Sequence, residues 1–124
     1  MQAALARREE LMRNERIAAA REVADKLFEA EAALDVAIAR AAELAASIPN
    51  ARRGANLAAC VGQEAFMCAA NMLPKLAEAR EHLVTAHDRL EVTKTEIGLR
   101  HMAFGDTTGK PSGEGELRIV GQAA

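Results

Sequence analysis

Leu76-Ala77-Glu78-Ala79-Arg80-Glu81-His82-Leu83-Val84-Thr85-Ala86-His87-Asp88-Arg89-Leu90 decides the fold of this chain. Its leucines fall seven residues apart, and the row continues to Ile97 and Phe104. Met72, Ala79, Ala86 and Thr93 form a second row, each four residues before a member of the first. Two apolar rows at heptad spacing mark a helix that buries one stripe against another long helix. Residues 3–47 supply that partner. They contain no Pro or Gly, and Ala20, Leu27, Leu34, Ala41 and Ile48 alternate with Val23, Ala30, Ala37 and Leu44 in the same two-row pattern.

Between the two patterns stand Pro49, Asn50 and Gly54. Proline pushes the residue before it out of helical geometry, and Asn and Gly supply turn chemistry, so the chain is expected to reverse over 48–54. The sequence therefore predicts an all-α, long antiparallel helical hairpin over residues 1–104. A helix over about 3–47 pairs with one over about 55–104, and both span roughly 65–75 Å. Pro74 kinks or breaks the second helix. The unbroken register of Ala69, Leu76 and Leu83 across it favours a kink. Arg100 and His101 suit a last turn with Gly105 as its left-handed cap. Residues 105–124 are Gly-rich and read as a flexible tail, in which Leu117-Arg118-Ile119-Val120 alternates briefly.

Composition narrows the function. Alanine fills 29 of 124 positions and only Phe28, Phe66 and Phe104 are aromatic, so close packing of slim helices replaces a bulky core. The net charge of −2 comes from interspersed charges, which disfavours non-specific nucleic-acid binding. The N-terminus lacks a signal-peptide pattern, and the most apolar window, near 55–73, carries Asn56, Gln63, Glu64 and Asn71. The expected location is the cytoplasm, with no membrane span.

The turn-proximal half is apolar on several faces of both helices, more than one partner helix can cover. The predicted interaction surface is Phe28, Val36, Ile38, Val61, Phe66, Met67 and Leu73, closed by a second hairpin into a homodimeric four-helix bundle, or left for another protein. Arg52 and Arg53 make a local basic spot, the candidate nucleic-acid contact of an alternative reading that also considers the N-terminal arginines.

Catalytic signatures are sparse. Gly105-Asp106-Thr107-Thr108-Gly109-Lys110 departs from a phosphate loop in glycine spacing, in Pro111 and in following a helix. The residues three before His82, His87 and His101 are Ala79, Val84 and Gly98, which excludes the Glu-x-x-His pattern of carboxylate-bridged di-metal bundles. Cys60 and Cys68, eight apart on one expected helix and about 12 Å apart along its axis, read as buried thiols used as small hydrophobes. His87-Asp88-Arg89-Leu90 resembles the phospho-accepting box of dimeric histidine kinases, which implies phosphotransfer at His87. It departs from that box in having Glu91 in place of Thr or Asn and in lying on the second helix, and His87 is expected at the surface. No metal, cofactor or catalytic residue is expected. The sequence reads as a non-enzymatic interaction or assembly protein whose partner binds at the turn-proximal half or the C-terminal tail.

Overall fold

In a computed structural model of the chain, which describes residues 1–103, two antiparallel helices form a hairpin: α1 over Gln2–Gly54 and α2 over Gln63–Glu96. There is no strand among the described residues. The tail at 105–124, the cap at Gly105 and the seam position of Phe104 lie outside them.

The helix boundaries differ from those expected. Helix α1 runs through Pro49 to Gly54, so the reversal occupies 55–62 rather than 48–54. A proline inside a helix removes one amide donor and crowds the carbonyl four residues back, here that of Ala45. The helix survives because Ile48 before the proline and Arg52 after it both stay half-buried in the stripe that faces α2. The real stop is Asn56, in the left-handed region at φ 52°. Its amide bonds the Arg53 carbonyl at 3.1 Å, and the Leu57 amide bonds that of Arg52 at 3.0 Å, which satisfies carbonyls a helix end would leave open.

Helix α2 ends by the same device, with glycine in place of asparagine. Gly98 has φ 82°, its amide bonds the Thr95 carbonyl at 3.1 Å, and the Leu99 amide bonds that of Lys94 at 3.0 Å. Leu99, 1% exposed, is the residue after the left-handed position, where an apolar side chain folds back over the last turn. Helix α2 therefore stops at Glu96 and not near Phe104. It also starts late, at Gln63 after Gly62 (φ 78°), so Cys60 lies in the connector and the two cysteines do not share a helix. At Pro74 the helix is unbroken, in line with the register of Ala69, Leu76 and Leu83.

The two helices are unequal, about 80 Å and about 51 Å at the α-helical rise. Glu31 faces His87 and Asp35 faces Arg80, which places Ala20 level with the end of α2. Residues 2–19 continue beyond it for about 27 Å, and 2–16 are exposed throughout.

Of the two seam rows expected on each helix, one is in place. Ala20, Leu27, Leu34, Ala41 and Ile48 on α1, and Ala69, Leu76, Leu83 and Leu90 on α2, are buried or half-buried. Ile97, past the end of α2, is exposed. The second row lies four residues after the first, not three. On α1 it comprises Ala24, Glu31, Ile38, Ala45 and Arg52, and on α2 Phe66, Leu73, Arg80, His87 and Lys94; all but Ala24 and Ala45 are large or polar, and all but Arg80 are half-buried or buried. The rows expected at this place, Val23–Leu44 and Met72–Thr93 at heptad spacing, are exposed. Both choices satisfy the heptad. The hairpin takes the row in which Glu31 and His87 pair across it.

Candidate interaction surface

Because the helices run in opposite directions, a row three residues after the seam turns to the same side on both of them. One broad face of the hairpin therefore carries Val23, Ala30, Ala37 and Leu44 from α1 beside Met72, Ala79, Ala86 and Thr93 from α2. None of these is charged, and Val23, Leu44 and Met72 are 46%, 49% and 44% exposed. At the open end this face is concave. There a groove of about 200 Å³ crosses the seam, lined by Val23, Leu27, Leu90 and Thr93 and also by Phe28 and His87 from the other side, with Glu91 and Lys94 in its wall paired at 2.7 Å.

The opposite face is different. It carries the polar crossing contacts of the hairpin: Arg80 Nη1 to Asp35 Oδ1 at 2.8 Å, and His87 Nδ1 to Glu31 Oε1 at 3.1 Å. The His87 ring also meets Phe28 edge-on, with centroids 6.2 Å apart and planes at 75°. The Arg80 pair is solvated on both sides and adds little to stability, whereas His87 and Glu31 are largely covered and fix how the helices meet. His87 therefore belongs to the inter-helix contact and does not stand outside the hairpin as a surface histidine.

The residues singled out from sequence are dispersed over the molecule. Phe28, Ile38, Phe66 and Leu73 are half-buried between the helices, while Val36, Val61 and Met67 are exposed at separate places. Val61 and Phe66 come together with Arg52 around a hollow at the turn, beside Ile48 and Gly62. Arg52 is half-buried and donates from Nη1 to the Leu57 carbonyl at 3.1 Å, so this arginine clasps the connector; Arg53 is exposed. Cys60 and Cys68 are free and exposed, not buried as the sequence predicts, because one lies in the connector and the other on a side of α2 away from the seam rows. Among the described residues no group of three His, Cys, Asp or Glu side chains is placed to hold a metal ion, and no helix is long and apolar enough to cross a membrane.

Sequence reasoning missed the uncharged face as a surface because it took the same residues for the seam. What separates the two roles is the level at which the helices pair: Glu31 meets His87 across the hairpin, and Arg80 meets Asp35 beside that row. Comparison with protein-family models, with curated proteins and with solved structures finds no match to this chain.

Proposed function

We propose that this chain is a non-enzymatic helical assembly protein of the cytoplasm, a hairpin that works by coiled-coil packing and completes its core by self-association into a four-helix bundle. One observation carries the reading. The buried residues among those described are Ala41, Ala45, Ala69 and Leu99, three of them alanines. Even with the half-buried leucine rows beside them, so slim a core is set against a conformational entropy of about 1–2 kcal/mol for each residue fixed in two long helices, and packing a further face would offset it. The free, exposed thiols of Cys60 and Cys68 suit a reducing compartment.

The test is solution mass by light scattering with thermal unfolding followed by circular dichroism on the same dilution series. Self-association predicts twice the chain mass and an unfolding midpoint that rises with protein concentration, because assembly stabilises only the folded state. A monomer whose midpoint is independent of concentration removes the reading.

A further inference from the structure

We infer that the second copy docks on the uncharged face, the rows of Val23 to Leu44 and Met72 to Thr93, and that the face bearing His87 and Arg80 remains outside the bundle. The inference rests on the self-association reading above and says where that association occurs.

In a four-helix bundle each helix points its innermost row between its two neighbours, midway between the in-hairpin contact and the new one. If the second hairpin lies on the uncharged face, that innermost row is the leucine-bearing one, Leu27 and Leu34 with Leu76, Leu83 and Leu90. Its new flank is alanine, valine and methionine, and no charge enters the centre. If the second hairpin lies on the opposite face, the innermost row becomes the one that holds Glu31, Arg80, His87 and Lys94, with Asp35 and Glu91 at the new contact beside Ala42, Ala77 and Val84. Withdrawing so many charges from water is strongly unfavourable even when they pair, so the two faces are not equivalent choices.

Size and shape fit a second copy of the same chain. The level stretch from Ala20 to Ile48 against Ala69 to Ile97 makes the face about 44 Å long and about 20 Å wide, or about 900 Å² per copy and about 1,800 Å² in all, within the range of stable interfaces. Alanines 30, 37, 79 and 86 along its middle allow close approach, and Val23, Leu44 and Met72 toward the ends provide knobs. A second hairpin brings the same period, the same length and the same alternation of small and large residues, the self-complementarity that a two-fold interface requires.

Two matched double variants separate the faces. Ala37→Glu with Ala79→Glu puts one carboxylate on each helix at the same level of the uncharged face, and Ala42→Glu with Ala77→Glu does so on the opposite face. All four alanines are exposed in the hairpin, so neither pair disturbs its seam, and helix content by circular dichroism checks this directly. The expected result is a dimer dissociation constant raised at least about 100-fold by the first pair and changed no more than a few-fold by the second. A wild-type dimer that survives Ala37→Glu with Ala79→Glu, or that both pairs dissociate equally, overturns the choice of face and leaves self-association standing. A wild-type chain that stays monomeric at every concentration overturns both.

Discussion

His87 and Glu31 are the polar pair nearest the centre of the hairpin, and their worth is a matter of alternatives more than of attraction. Each occupies a position that heptad packing assigns to an apolar side chain, and Phe28 shields the imidazole on one edge. A lone His87→Ala removes the ring from both contacts and leaves the carboxylate of Glu31 partly covered without its histidine, at an expected cost of about 1–2 kcal/mol in chemical unfolding. Replacing the two together, Glu31→Leu with His87→Leu, turns the row apolar, and the expected stability equals or exceeds that of the natural chain. A double variant weaker than His87→Ala alone would show that the pair contributes net stability and not only specificity of packing. The same two residues explain an error of the sequence reading. Apolarity alone points to the row of Val23 to Leu44 and away from one containing Glu31, although a charge at a seam position is admissible when its partner sits opposite. With one chain and no knowledge of the pairing level, that partner could not be seen.

The elements were legible in kind and misjudged at their ends, for a common reason. Heptad spacing is a property of many residues and survives local exceptions, so the leucine row of each helix and the antiparallel pairing could be read directly. Helix ends depend on one or two residues. Pro49 reads as a stop, yet α1 passes through it to Gly54 and Asn56 closes its end; Gly105 reads as the cap of α2, although Gly98 is the first glycine after its leucine row. Glycine substitutions measure what those ends require. A Cβ added at Gly54 or at Gly98 meets no atom within 4 Å, so neither change is limited by space. Gly54 lies within α1 and shows no positive φ, so Gly54→Ala should stabilise the hairpin by about 0.5 kcal/mol through the unfolded chain. Gly98 sits at φ 82°, so Gly98→Ala should destabilise it by about 1 kcal/mol and loosen Leu99. Equal responses in thermal unfolding would mean that the left-handed residue does not set the end of α2.

At the scale of the whole molecule, the mismatch in helix length divides α1 into two regimes. From Ala20 onward each turn lies level with α2, and opening it exposes the leucine row. Before Ile17 the helix has only its own hydrogen bonds: residues 1–16 are exposed, Leu5, Leu11 and Met12 included. A free peptide of that length would be marginal as a helix, because nucleation is costly. Here nucleation is already accomplished by the paired part, and the remaining residues only propagate it, each near balance, so order should decline gradually toward Met1 and not break at one point. Hydrogen exchange resolves the two regimes. Amides of residues 6–16 should exchange within about 10-fold to 100-fold of an unfolded chain, with protection rising along the sequence, while those of 24–48 should be slower by several further orders of magnitude, set by opening of the hairpin itself. Uniform protection along the whole of α1 would contradict this, since propagation alone cannot supply it. It would mean that the projecting turns, with Leu5 and Met12 one heptad apart, are covered in solution by a contact that the hairpin does not contain.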